Sequence, residues 1–153
     1  TIMERKKMRL RKLVVAALVG SLTCAAFALP AAAAGSSAGY GMGGEFRVFD
    51  PIVAQYNGSG ELFRIEGHCQ SACTLFLAIR NVCVDRNATL LFHAGHDRKK
   101  TVTEWATDHL LSAYNSRLRA YVTANRFMDT LEFHSISGSD MIRRFGYREC
   151  PRS

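Results

Sequence analysis

Apolar residues at Phe46, Phe49, Ile52, Val53 and Tyr56 recur at helical spacing and predict a helix over about 46–56. Pro51 is expected to mark its first turn, and Asn57-Gly-Ser-Gly to stop it. Glu61–Glu66 reads as a strand ending at Gly67. Ser71–Arg80 places Ala72, Leu75, Phe76 and Ile79 on a helical spacing, which predicts a short buried helix. Val82–Val84 and Ala88–Phe92 read as strand pieces, and the second is nearly all apolar, as a central strand would be. A polar loop follows over Gly95–Lys100. Thr101-Val-Thr-Glu104 then fits a capping box. The helix it opens carries Trp105, Leu110, Leu111, Tyr114, Leu118, Tyr121 and Val122 on one face, to about Asn125. Leu131–Ile136 is compatible with a strand and Ser139–Phe145 with a helical turn, while glycine- and serine-rich Gly35–Gly44 reads as irregular.

The first 34 residues follow a different logic. A basic stretch ends at Lys12, an apolar run continues to about Leu29, Pro30 breaks it, and Ala31–Ala34 supply small residues before Gly35. That order describes a secretory signal peptide cleaved near Ala34, and it predicts a periplasmic or secreted protein that meets the membrane only during export. A membrane anchor is the competing reading, since the run only just reaches the length of a spanning helix. The alanine-rich composition and the Ala-x-Ala end favour cleavage. Cys24 follows Ser21-Leu22-Thr23, a poor lipoprotein box. Residues 35–153 are then expected to form one domain, long enough to bury a single core.

Charge alters the picture only once it is divided. Of the 20 Lys+Arg and 13 Asp+Glu residues behind the formal charge of +7, six basic and one acidic lie in residues 1–34, leaving 14 and 12. The basicity belongs to the leader, so nucleic acid is not an expected partner, and Arg98-Lys99-Lys100 is only a short basic loop. The hydrophobic content of 48% excludes a disordered chain, and no repeat is visible.

Beyond Cys24 the chain keeps four cysteines, Cys69, Cys73, Cys83 and Cys150. An even number in an exported chain suggests two disulfides. Cys69 and Cys73 are awkward to join across one helical turn, so each is expected to pair with Cys83 or Cys150. The sequence does not choose between those two arrangements.

Ile65–His96 holds the candidate chemistry. Its order is strand, glycine turn, helix, strand. If the two strands are parallel neighbours, about 4.8 Å apart, Ser71 after the first and His93 at the end of the second share one edge of the sheet, within reach of each other. A serine at a helix start beside a histidine is the minimum of an activated hydroxyl. Singly, each residue has an ordinary explanation. Ser71 occupies an N-cap position, and a histidine at a strand end is commonly a hydrogen-bonded structural residue. Their joint placement is what weakens both.

Gly67-His-Cys-Gln-Ser71-Ala-Cys-Thr-Leu-Phe-Leu, followed by Cys83-Val-Asp-Arg-Asn-Ala-Thr-Leu-Leu-Phe-His93-Ala, resembles the core of the Clp protease/crotonase-like superfamily. The likeness is strongest to a small exported bacterial branch with a Gly-x-Cys-x-Ser-Ala-Cys-Thr motif, and it covers about residues 43–96. It implies an α/β fold with a βαβ core and a mostly parallel sheet. It further implies that Ser71 is the nucleophile and His93 the base, and that Gly43 and Gly44 resemble the oxyanion-hole glycines. Superfamily members often assemble as trimers or larger rings, so a homo-oligomer is an implied possibility. Two departures stand out. The core is shortened at its N-terminus, since the strand–helix unit that normally precedes the glycine pair has no counterpart in Gly35–Met42. No third member of the triad stands out either, and a loose alignment at Phe145-Gly146 offers only Glu132 and Asp140 as orienting carboxylates.

Three functions compete. One is a serine hydrolase of peptidase type acting on a peptide or acyl substrate without a cofactor. Another is an inactive binding or structural protein on the same fold. The third is a metal site drawn from Cys69, Cys73, His93 and His96, with His68 in addition, which an oxidising compartment disfavours.

Overall fold

A computed structural model describes residues 34–152, so the predicted leader, Cys24 included, lies outside the described residues. The chain there is mixed α/β. Its six strands are β1 (Gly35–Ser36), β2 (Phe63–Ile65), β3 (His68–Gln70), β4 (Val82–Val84), β5 (Thr89–Phe92) and β6 (His134–Ser137). They form two three-stranded sheets rather than one. β1, β2 and β4 are parallel throughout, whereas β3 and β5 pair in parallel and β6 joins β5 antiparallel.

The two sheets arise because both central strands break at the same level. Gly67, at φ 62°, separates β2 from β3, and the Asp85–Ala88 turn separates β4 from β5. Pairing nevertheless passes through the break, with Asp85 N–H donated to the Ile65 carbonyl (2.8 Å) and Thr89 N–H to that of Gly67 (2.8 Å). The strand that leads into Ser71 is therefore β3, not the Glu61–Glu66 segment expected from the pattern. The glycine that ends the first strand starts the second.

Between β3 and β4 the chain forms a 3-10 helix over Ser71–Ala78, buried from Ala72 to Leu77. Phe76 from this helix packs against Phe63 of β2, with ring centroids 4.5 Å apart. Helix α1 (Phe46–Ser59) closes over it, Phe49 lying 5.3 Å from Phe76. α1 runs one turn beyond the expected length and ends at Gly60, whose left-handed backbone returns its N–H to the Tyr56 carbonyl. Pro51 lies past the first turn, inside the helix.

The long helix expected over 101–125 is two helices, α2 (Glu104–Ser112) and α3 (Ser116–Ala124). Asn115 causes the break by acting as a second N-cap, accepting from Leu118 N–H at 2.9 Å. The first cap is Thr103, which accepts from Ala106, and not Thr101. Trp105 is 70% exposed rather than part of the buried face. It lies about 140° around the helix from buried Leu110 at 100° per residue. A short α4 (Gly138–Arg143) follows β6, with Ser137 as its cap.

The disulfides are Cys69–Cys73 and Cys83–Cys150, so the expectation that Cys69 and Cys73 avoid each other is overturned. It assumed one helical turn between them. In fact Cys69 is in an extended strand, and the bend at Ser71 brings the two Cα atoms to 5.3 Å, within the usual range for a disulfide. Cys83–Cys150 fastens the chain end to β4, beside a backbone bond from Cys150 N–H to the Val84 carbonyl (3.1 Å).

Candidate functional site

The parallel register pairs Gln70 with Leu91, so Ser71 and His93 both leave the carboxyl ends of adjacent strands. Both line one cavity of about 780 Å³ between the start of α1, the 95–103 loop and the 131–133 segment. The sequence expectation that they share a sheet edge holds, although the sheet is β3-β5-β6 and the following helix is 3-10.

Ser71 adopts φ 54°, a left-handed conformation that few residues other than glycine occupy. It sits at the sharp change from extended strand to helix, and its hydroxyl forms no hydrogen bond among the described residues. Three constraints hold its backbone. The Cys69–Cys73 disulfide brackets it. The Thr74 hydroxyl donates to the Ser71 carbonyl at 2.7 Å and accepts from buried Tyr114, also at 2.7 Å. Burial pushes the Tyr114 phenol far above its usual range, so it remains a neutral donor. Gly43 presses on the serine from the third side. A β-carbon there would lie 2.8 Å from the Gln70 carbonyl and 2.9 Å from Ser71 Cβ.

His93 is 4% exposed. Its Nδ1–H is donated to the Ala94 carbonyl at 2.6 Å, which leaves the lone pair on Nε2. Nε2 has no hydrogen-bond partner among the described residues. The ring stacks on His96 (5.8 Å between centroids) and meets the edge of Phe133 (4.9 Å). Burial lowers its pKa from the ordinary value. The Ala94 hydrogen bond opposes that shift, and the neighbouring His96 and Lys100 reinforce it. His93 is accordingly held in the neutral form that can accept a proton.

The predicted accessory residues divide. Gly43 lies against Ser71 and Gly44 lines the same cavity, and they differ in what they offer. Gly43 donates its N–H to the Tyr40 carbonyl (3.0 Å), whereas Gly44 N–H has no partner among the described residues. Ala72, next after the serine, precedes the first i→i−3 bond of the 3-10 helix, so its N–H has no partner within that helix. Neither Glu132 nor Asp140 is hydrogen-bonded to His93. Asp140 pairs with Arg143 (3.1 Å) and Arg144 (3.8 Å) on α4, and Glu132 is exposed. A backbone carbonyl occupies the place where a carboxylate was expected. Cys69 and Cys73, joined to each other, are not available as thiolate ligands, and no cluster of three metal-binding side chains occurs among the described residues.

The pattern missed Thr74, Tyr114 and Ala94. Thr74 and Tyr114 lie 40 residues apart in sequence, and Ala94 acts through its backbone. No local spacing signals either. No protein-family model and no curated protein matches this sequence.

Proposed function

We propose that the protein is an exported serine hydrolase of peptidase type, in keeping with its resemblance to the Clp protease/crotonase-like superfamily. Ser71 Oγ attacks the acyl carbon of a peptide or ester while His93 Nε2 takes its proton. The N–H groups of Gly44 and Ala72 stabilise the oxyanion, each supplying a hydrogen-bond donor. His93 then returns the proton to the departing amine or alcohol; a water molecule, deprotonated by His93, attacks the acyl carbon, and His93 passes that proton to Ser71 Oγ as the acyl–oxygen bond breaks and the acid leaves. The Ala94 carbonyl fixes the histidine tautomer, a duty that falls to a carboxylate in the usual triad.

The observation that carries this reading is the left-handed Ser71, unpaired at its hydroxyl, on the wall of the cavity shared with a neutral His93. Strained non-glycine residues of this kind cluster at functional sites, and a nucleophile presented on a strained strand-to-helix turn is a recurrent arrangement. Two disulfides suit an oxidising compartment, and no helix among the described residues is long and apolar enough to cross a membrane.

A fluorophosphonate probe applied to the folded, oxidised protein tests the proposal. The expected result is an adduct located at Ser71 by peptide mass spectrometry and absent from His93→Ala. A folded protein that takes no label would instead be a binding domain on this fold. The absence of a hydrogen bond between Ser71 and His93, together with the missing carboxylate, favours that second reading.

A further inference from the structure

The cavity beside Ser71 is neither uniformly polar nor electrically neutral. Three of the most exposed large apolar side chains in the described chain, Met42 (73%), Trp105 (70%) and Phe133 (46%), all line it. Such exposure is ordinary when scattered, but gathered around one concavity it marks a binding wall. Arg47, Arg98 and Lys100 line the same cavity, together with the carboxylates of Glu45 and Asp97.

These charges are not equivalent. Glu45 is shared by Arg47 and Arg98. Oδ1 of the Asp97 carboxylate is occupied by backbone, accepting the N–H groups of Lys99 (2.8 Å) and Thr101 (2.9 Å). Lys100 has no carboxylate within 4 Å among the described residues. Its Nζ donates to His96 Nε2 at 3.4 Å, and the Nδ1–H of that ring is donated to the Asp97 carbonyl at 2.7 Å. The backbone around Lys100 is also built rather than loose. Lys100 adopts φ 64°, its N–H bonds the Asp97 carbonyl, Asp97 N–H bonds the Thr101 carbonyl, and His96 pairs with Val102 across the loop. The ammonium group is thus held at the rim without a counter-ion, one ring away from His93.

We propose that Lys100 is a carboxylate-binding subsite, and that the cavity accepts an apolar acyl or peptidyl group carrying a free carboxylate, its side chain against Met42, Trp105 and Phe133. The assignment of Ser71 as the group that then attacks such a ligand rests on the hydrolase reading above; binding of the carboxylate does not.

Trp105 is the single tryptophan of the chain and lies in the cavity wall, so its fluorescence reports occupancy directly. The test titrates N-acetyl-L-phenylalanine and N-acetyl-L-phenylalaninamide into the Ser71→Ala protein at low salt. The acid should bind about fivefold tighter than the amide, the scale of one exposed ion pair. That preference should vanish in Lys100→Gln, persist in Lys100→Arg, and shrink as salt is raised to about 0.5 M. Equal affinity for acid and amide, a preference that survives Lys100→Gln, or no fluorescence response to either probe would each overturn the subsite. Fluorophosphonate labelling of the unmutated protein separates the two ideas. Acid preference without labelling leaves the subsite on a binding protein, and labelling without acid preference removes the subsite alone.

Discussion

Replacing Gly43 by alanine measures how closely the glycine turn is fitted to Ser71. Two costs are expected, and they can be separated. An alanine at φ 73° carries a left-handed backbone penalty of about 1 kcal/mol. Its β-carbon would also stand 2.9 Å from Ser71 Cβ and 2.8 Å from the Gln70 carbonyl, where ordinary contact begins at 3.4 Å. The turn and the serine must part by about half an ångström, an overpacking of the kind that costs about 1–3 kcal/mol. Gly39→Ala is the control, because Gly39 has φ 86° and nothing within 4 Å of its added β-carbon. It bears the backbone penalty alone. Urea unfolding should therefore show Gly43→Ala about 1–3 kcal/mol less stable than Gly39→Ala. Fluorophosphonate labelling should slow by about tenfold or more in the first variant, since small misplacements of a reacting atom are costly, and remain near the original rate in the second. If Gly43→Ala loses no more stability than Gly39→Ala and labels at the original rate, the turn does not position the serine and the oxyanion assignment falls with it.

Labelling of Ser71 should rise with pH as His93 loses its proton, with a midpoint below the ordinary histidine value of 6.5, because burial disfavours the imidazolium; a midpoint above 6.5 refutes this. Stability should follow the same sign. Below pH 6.5 the unfolded chain takes up a proton before the folded one does, so denaturation midpoints should fall as the pH drops toward the folded value of His93. Replacing Cys83 and Cys150 by alanine opens a sequence separation of 67 and should cost about 4 kcal/mol, against about 2 kcal/mol for the separation of 4 between Cys69 and Cys73. Only the second pair should slow labelling in protein that is still folded, which denaturant titration and labelling rates together would check. Thr74→Val removes the bond to the Ser71 carbonyl and strands the buried Tyr114 hydroxyl, at about 1–3 kcal/mol. Tyr114→Phe leaves the Thr74–Ser71 bond in place, so it should be milder in both unfolding and labelling.

Much of the fold is legible because its longer elements have a period to read. The apolar spacing of Phe46–Tyr56 marks α1, and the apolar run at Ala88–Phe92 marks β5. β3 has three residues, too few for alternation to register, so the pattern places the strand leading to Ser71 before Gly67. Asn115-Ser116 was a readable signal, since asparagine is a strong N-cap, but the apolar stripe runs through the break and hides it. The site divides in the same way. Ser71, His93 and the glycine pair are legible as residue types at strand ends. Their supports are not: the Ala94 carbonyl has no residue signature, and Thr74 meets Tyr114 only after α2 is folded over the 3-10 helix.

The distribution of these supports bears on the choice between hydrolase and inert scaffold. A serine at φ 54° is a cost of about 1–3 kcal/mol that persists only where the surroundings over-determine it. Here a disulfide, a buried hydroxyl pair and a glycine contact converge on the backbone of Ser71, while its own hydroxyl is left unpaired. The cap position of this 3-10 helix is Gln70, which makes no side-chain capping bond, and Ser71 is its first residue, whereas Thr103, Asn115 and Ser137 stand at the cap positions of their helices and accept there. The contrast within one molecule weighs against the capping explanation for Ser71. His93 has the matching feature, lining the same cavity with one ring nitrogen fixed by backbone and the other without a hydrogen-bond partner among the described residues. Rigid backbones with free reactive ends are what preorganised acyl transfer requires, and stability alone gives no reason to build them twice on adjoining strands.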